Sequence, residues 1–318
     1  MRHIFIVNPA AGQSSHLEEI KNKLKALKDR HHAEIYITKA PLDATDYVRR
    51  RCLESPDEKM RFYACGGDGT LNEVVAGVIG AENAEVSCYP CGSGNDYVKC
   101  FGGASHFLDL EKLMESRSVP VDAMKVCGRY CINVCNFGFD AVVAETMASV
   151  RRKKIIGGKN AYTTGIAKAL FTARDNECRV YADGELLNPE GRMLLCTVAN
   201  GQYVGGSYRC APRSLCNDGL LEVCLIKPMP LTKYLTLIKS YSEGKHLDDS
   251  RFANHLMYRR AKKVEVFAAT EDFGVCLDGE MTKAEHYSVE VLYRAVRFAA
   301  PTLPVATKRV EEISEATK

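Results

Sequence analysis

The chain has 318 residues, of which 46% are hydrophobic and 26% charged, so it can bury a substantial core, and disordered, collagenous and mini-protein classes are excluded. Lys and Arg number 43 against 40 Asp and Glu, a net charge of +3 that is too mild to argue for nucleic acid. Fourteen cysteines are diluted over this length, behind a start whose apolar stretch is too short for a signal-peptide core. The expectation is therefore a cytoplasmic protein with reduced thiols.

The first ~120 residues alternate strands and helices. Ile4–Val7 is a continuous apolar run of the kind that forms a buried parallel strand. Leu17, Ile20, Leu24 and Leu27 recur at helical spacing among Lys and Glu. Strands are predicted at Glu34–Thr38, Arg61–Cys65 and Val86–Tyr89, and a helix beginning near Thr70 carries Leu71, Val74, Val75 and Val78 on one face. Such alternation implies a parallel sheet with helices on both faces.

After Asp122 the pattern changes to short apolar or alternating runs: Arg129–Phe137, Cys178–Tyr181, Met193–Ala199, Leu220–Ile226, Lys263–Phe267, Val275–Leu277 and Tyr287–Phe298. Asp183-Gly184, Asp218-Gly219 and Asp278-Gly279 punctuate them as turns, which predicts an antiparallel sandwich or barrel. Two stretches of helical character, Ala141–Arg174 and Leu231–Phe252, interrupt it. The predicted organisation is an α/β domain over 1–121, rejoined by a helical tail over 299–318, and a mainly β domain over 122–298. Cys127, Cys131 and Cys135 fall near or within a strand and read as small core residues. No apolar run approaches the ~18 residues of a membrane span, so any membrane contact is expected to be peripheral.

Two strand-to-helix junctions carry most of the chemistry. In Cys65-Gly66-Gly67-Asp68-Gly69-Thr70-Leu71-Asn72-Glu73, three glycines let the backbone approach a ligand, and the helix start beyond them presents unpaired N–H groups and a positive dipole. Charge-assisted bonds of roughly 1.5–3 kcal/mol each could then hold a phosphate. Asp68 within that anion-binding loop would repel the ligand unless a cation lies between, which suggests Mg²⁺. Pro90-Cys91-Gly92-Ser93-Gly94-Asn95-Asp96 repeats the design with Asp96 as a second acid. The bland alternative is that both are plain connections and Asp96 a cap. Neither loop ends in the Gly-Lys-Ser/Thr of a Walker A motif, and the second lacks the third glycine of a dinucleotide fingerprint.

Together with Asn8-Pro9-Ala10-Ala11-Gly12, these junctions resemble the nucleotide-site motifs of the diacylglycerol kinase catalytic domain, and the chain is similar to the soluble bacterial lipid kinases of that family. The resemblance continues through Phe137-Gly138-Phe139-Asp140-Ala141, Ala199-Asn200-Gly201, Asp218-Gly219-Leu220-Leu221 and Leu277-Asp278-Gly279-Glu280. It implies a phosphofructokinase- or NAD-kinase-like first domain. It also implies transfer of the γ-phosphoryl of ATP to a lipid hydroxyl, diacylglycerol becoming phosphatidic acid. By the same resemblance Asn8, Pro9, Gly66, Gly67, Asp68, Gly69, Thr70, Asn72, Glu73, Ser93 and Asn95 bind the nucleotide. Asp68, Asp96 and Asp122 form the acidic network around a catalytic Mg²⁺, partly through water, Asp218 with the carbonyls of Leu215 and Leu220 holds a structural Mg²⁺, and Asp278 with Glu280 is catalytic. Departures from the family pattern, Ala11, Ala76, Ser93 and Ser207, remove no acid.

On spacing alone, Asp278-Gly279 and Asp183-Gly184 are equally good hairpin turns, and only the resemblance singles out Asp278 as a general base. Residues 146–174 carry seven positive charges, Arg151, Arg152, Lys153 and Lys154 among them, and no acid. They are read as docking to an anionic membrane surface, with a solvated basic face as the alternative. Rival functions are a kinase for another lipid alcohol, such as a sphingoid base or phosphatidylglycerol, a kinase for NAD, and a nucleotide-binding regulator without transfer. Oligomeric state stays open, with a homodimer among the options.

Overall fold

The computed structural model describes residues 1–12, 16–27, 32–139, 141–143, 146 and 175–304. The chain forms two compact units. One takes Met1–Ala123, Leu215–Asp218 and the chain from Leu292 onward; the other takes Met124–Ser214 and Gly219–Val291. The sequence alone placed the passage at 121/122 and the return at 298/299, and gave no sign of the short excursion at Leu215–Asp218.

In the first unit, strands β1 (Arg2–Val7), β2 (Ala33–Ile37), β3 (Met60–Gly66) and β4 (Ala84–Pro90) alternate with helices α1 (His16–Leu27), α2 (Asp43–Glu54) and α3 (Asp68–Val78). The sheet is parallel, with β1 between β2 and β3 and with β4 beyond β3. Every residue of β3 is buried, as a strand covered on both faces requires. A fifth strand comes from the far end of the sequence: Phe298, in β17 (His286–Ala299), runs parallel to Val86 of β4. The Ser87 hydroxyl donates to the carbonyl of Ala299 at 2.7 Å, and Phe298 packs on Phe101 and Tyr97. The order β2-β1-β3-β4-β17 reverses direction between β1 and β3. At such a switch point the carboxyl ends of adjacent strands open a crevice.

The second unit is an antiparallel sandwich. One sheet runs β13 (Leu256–Ala261), β12 (Leu221–Ile226), β11 (Leu195–Ala199), β7 (Val134–Gly138), β15 (Gly274–Leu277), β16 (Glu280–Lys283). The facing strands include β8 (Asn176–Ala182), β14 (Lys263–Ala268) and the start of β17. Phe137, Cys196, Val198, Val223 and Leu277 of the first sheet meet Val180, Val264, Val266, Tyr287 and Val289 of the second in one core. Cys131 and Cys135 join that core, but Cys127 does not. It is exposed at a turn, because the chain reverses at Cys127-Gly128, opposite the Val126–Arg129 pair. All fourteen cysteines are free. The predicted helix over Leu231–Phe252 is a shorter one, α5 (Leu231–Ser242), ended at Gly244 in the left-handed region and followed by a single turn at Ser250–Phe252. Most of the predicted helical stretch Ala141–Arg174 lies outside the described residues, as do Arg151, Arg152, Lys153 and Lys154. Among the described residues no helix is long and apolar enough to cross a membrane.

The other face of the six-stranded sheet holds two buried ionisable groups with opposite pH dependence. Glu222, 1% exposed, accepts the Tyr258 hydroxyl at 2.8 Å, and its burial pushes its carboxyl up to about 7. His246, buried against the rings of Tyr241 and Phe252, is pulled down to about 4 by the same cause. A raised carboxyl favours the fold at low pH, and that contribution is lost as pH rises through 7. A depressed imidazole favours the fold above its ordinary 6.5, and that contribution is lost as pH falls through 4. We expect Glu222→Gln to remove a loss of about 3 kcal/mol between pH 5 and pH 8.5. Urea midpoints at the two pH values check this, and an unchanged slope against pH refutes the assignment.

Candidate functional site

Three loops meet at the switch point of the first unit. Asn8 follows β1 directly. Its side-chain N–H donates to Thr70 Oγ1 at 3.1 Å, its Oδ1 accepts from Ala10 N at 2.9 Å, and its own N–H donates to the carbonyl of Cys65. One short side chain thus binds the end of β1 to the start of α3. Cys91 N and Gly92 N both donate to the carbonyl of Gly66, which ties the second glycine loop to the first. The approach is so close that a Cβ on Gly92 would stand 2.5 Å from the Cα of Gly67. Gly12, at φ +71°, has no room either: a Cβ there would collide with the Cys91 carbonyl oxygen. Gly69, by contrast, has open space where a side chain would go.

Helix α3 starts at Asp68 behind Gly67, which provides no side-chain cap, so no side chain covers its first-turn amides. Asp68 Oδ1 accepts from Asp96 N at 2.6 Å and from Tyr97 N at 3.4 Å, fixing the acid between the two loops. A Cβ on Gly94 would meet Asp68 Oδ2 at 2.9 Å and Asp96 Oδ2 at 3.3 Å, so one oxygen of each acid converges on the same point. Among the described residues no three His, Cys, Asp or Glu side chains gather closely enough to hold a metal ion. The predicted trio is therefore not assembled as a set of direct ligands. Asp122 is fully buried, with Oδ1 on the N–H of Arg294 at 2.7 Å and its own N–H on the carbonyl of Cys216 at 2.7 Å. It braces β17 at Arg294, whose φ is +51°. Two carboxylates over a phosphate cradle nonetheless suit Mg²⁺, which takes one or two protein acids and fills its remaining positions with phosphate oxygens and water. The pair Asp68 and Asp96 suits direct contact with that ion; nothing in the described geometry makes Asp122 a direct ligand.

Lys99, which the sequence reading did not select, forms an ion pair with Asp96 Oδ1. Its signal lay in the spacing, three residues after Asp96 on a turn of helix (Tyr97–Phe101). Other predicted nucleotide residues serve the loops themselves. Asn95, at φ +47°, uses its side chain on Gly92, accepting from its N–H at 3.2 Å and donating to its carbonyl at 2.7 Å. Glu73 accepts from Ala44 N at 3.3 Å, at the start of α2. Pro9 and Ser93 are exposed, and Asn72 Oδ1 is buried with no partner among the described residues.

The second unit contributes Asp278 and Glu280. Asp278 occupies a two-residue turn between Leu277 and Glu280 at φ +46°, followed by Gly279 at +94°. Its carboxylate accepts backbone N–H groups from Ile132 (2.8 Å), Asn133 (3.2 Å) and Val134 (2.9 Å). Burial lifts it above the ordinary carboxylate value, against those donors, which pull it down. Asp183 sits in a turn of the same shape and accepts from Lys262 N and Lys263 N at 3.0 and 2.9 Å. Both acids therefore do the structural work that spacing alone implies. Glu280 pairs with Arg129 at 2.6 Å. Asp218 ends the first unit's Leu215–Asp218 segment, and Leu220 lies just past the passage into the second unit.

This geometry has counterparts. Residues 133–300, more than half of the chain, match the model of the YegS C-terminal NAD kinase beta sandwich-like domain, and residues 2–126 match the diacylglycerol kinase catalytic domain. The chain belongs to this family of lipid kinases. It is 27% identical over 302 residues to a diacylglycerol kinase of Bacillus subtilis (strain 168), covering 93% of this chain and 95% of that one. It is 28% identical over 304 residues to a probable lipid kinase YegS-like of Serratia proteamaculans (strain 568), covering 94% and 93%. A crystal structure of a diacylglycerol kinase from Bacillus anthracis str. Sterne shares the fold, with a TM-score of 0.69 at 23% identity over 94% of this chain and 96% of that one. A further structure from the same strain gives a TM-score of 0.73 at 24% identity, over 94% and 97%. In the kinase-family chain, the α/β unit and the sandwich are thus the expected pair of folds.

The loop packing gives a paired test. We expect Gly92→Ala to cost about 1–3 kcal/mol of stability through backbone displacement. Gly69→Ala should leave the melting temperature unchanged or slightly raised, because a helical alanine is favoured over glycine by roughly 1 kcal/mol. Calorimetry with and without a non-hydrolysable ATP analogue reads both. Equal melting points for the two variants would refute the close approach.

Proposed function

We propose that this protein transfers the γ-phosphoryl group of ATP to the free hydroxyl of diacylglycerol, giving phosphatidic acid, at the cytoplasmic face of a membrane. The observation that carries the reading is the meeting of the Asn8, Gly66–Thr70 and Cys91–Asp96 segments at the switch point. There, uncapped helix amides and two convergent acids stand together. Membership of a lipid kinase family, and likeness to a diacylglycerol kinase of Bacillus subtilis, support a lipid acceptor over NAD.

In this reading the Gly67–Thr70 backbone takes the phosphates, and Asn8 holds the loop rigid through Thr70. Lys99 offsets the charge of Asp96. Asp68 and Asp96 would hold Mg²⁺, which when bound supplies positive charge against the phosphate oxygens. Asp278 receives the proton of the attacking hydroxyl. The O–H bond breaks as the new O–P bond forms and ADP leaves with its electron pair. A carboxyl lifted by burial is a better base than a free one. Glu280, held by Arg129, lies one residue past the turn, where its charge is balanced by that pair.

Incubation with labelled ATP, Mg²⁺ and a panel of lipid alcohols in mixed micelles tests the acceptor; labelled phosphatidic acid is expected, and no labelled lipid from any acceptor refutes the reading. Asp278→Asn and Asp183→Asn should each lose about 1 kcal/mol of stability, since each weakens charge-assisted bonds of the same kind. Only Asp278→Asn should lose transfer, by a hundredfold or more. Equal activity in the two variants removes Asp278 from the mechanism.

Membrane docking is assigned to the basic stretch containing Arg151, Arg152, Lys153 and Lys154, at about 1 kcal/mol per charge near an anionic surface. Sedimentation with phosphatidylglycerol vesicles should fall steeply between 50 and 500 mM salt. Binding that ignores salt, or none, refutes electrostatic docking.

A further inference from the structure

We infer that Asn133 is a positioning residue for Asp278, locking the acid's amide cradle to the Asn200–Tyr203 loop; the inference rests on the reading of Asp278 given above. Asn133 is 4% exposed and lies between β6 (Arg129–Cys131) and β7, in the middle of the three residues whose N–H groups hold the Asp278 carboxylate. Its side-chain N–H donates to the carbonyl of Tyr203 at 2.9 Å. Its own carbonyl accepts from both Asn200 N and Gly201 N at 2.9 Å. Asn200 closes the same knot by donating to the carbonyl of Ile132 at 2.7 Å. The segment is thus pinned from both sides: the acid on one, a glycine loop on the other.

Two details distinguish this from ordinary core packing. Asn133 Oδ1 is buried without a partner among the described residues, a desolvation cost that pure packing would not retain. A Cβ on Gly201 would collide with that same atom, so the loop is shaped around it. Asn188 provides the contrast. It too is fully buried, but its Oδ1 accepts from Val180 N and its Nδ2 donates to the carbonyl of Cys178, both satisfied within the second unit and distant in sequence from Asp278.

A loosened cradle withdraws N–H donors from the carboxylate. The acid limb of the activity profile then moves to higher pH, because those donors hold the ionised form down. The ionisable side chains beside Asp278 are the thiols of Cys131 and Cys135, both lifted far above the ordinary thiol range by burial, and Glu280, engaged by Arg129. The thiols do not titrate on that limb.

The test uses the full chain, transferring labelled phosphate from ATP to the lipid found active in the panel, with kcat and KM measured from pH 4.5 to 8. Asn133→Ala should lower kcat about tenfold with KM for ATP unchanged and shift the acid limb up by at least half a unit. Asn133→Asp, which keeps the volume but loses the donor and adds charge beside Asp278, should shift it further. Asn188→Ala should lose stability without moving the limb. If Asn133→Ala does not fold, Asn133→Asp decides. Folded Asn133 variants with an unmoved limb, losing activity only in step with melting temperature as Asn188→Ala does, overturn the inference while an inactive Asp278→Asn leaves the reading of Asp278 standing. An active Asp278→Asn overturns both.

Discussion

The contact between Gly67 and Gly92 is the constraint on which the first unit's chemistry rests. Two backbones approach so closely that a Cβ on Gly92 would stand 2.5 Å from the Cα of Gly67, and everything around them follows. Asp68 can bridge to the amides of Asp96 and Tyr97 because the loops are that near, and one oxygen of Asp96 joins it over Gly94. Remove the contact and the two acids separate, and with them the case for a shared cation. The switch-point order of the sheet brings the loops to the same end. The glycines let them touch.

Much of this was legible before any coordinates. Alternating runs gave the α/β unit and the sandwich, because a parallel strand covered on both faces reads as uninterrupted apolar sequence, while Cys178–Tyr181 and its partners read as short half-buried strands. The glycine loops and their acids were equally plain. What the sequence could not reveal was where side chains were already committed. Asn95 and Glu73 look like ligand contacts by position, yet one closes its own loop and the other caps α2. Asp122 is predicted for the acidic network around Mg²⁺, and what the sequence hid is that its buried carboxylate braces β17 at Arg294. Asn133 escaped notice because its partners, Asp278 and Tyr203, are distant in sequence, whereas Lys99 carried a spacing signal, three residues after Asp96, that was passed over. Cys127 was misplaced because a cysteine at the first position of a tight turn carries none of the composition signal that Asn or Asp would.

Three two-residue turns, at Cys127, Asp183 and Asp278, share one backbone shape, and in each the first side chain reaches a neighbouring strand. The protein uses one device three times, and chemistry is assigned to only one copy. What separates Asp278 is its setting. It is held by three consecutive amides beside an asparagine with an unsatisfied oxygen, and burial raises it. A fold can acquire a base this way by burying a turn it already needs for shape.

The strand that finishes the first unit's sheet, Leu292–Ala299, is made long after the other strands of that sheet. Roughly 200 residues separate it from β4, its partner, so at about 5–20 residues per second a growing chain spends some 10–40 s with that edge bare. An unpaired, largely buried-type edge invites pairing with another chain. The order of synthesis therefore leaves the β4 edge to be shielded, or closed quickly, once Leu292–Ala299 is made, and residues 1–123 by themselves lack the strand that covers it.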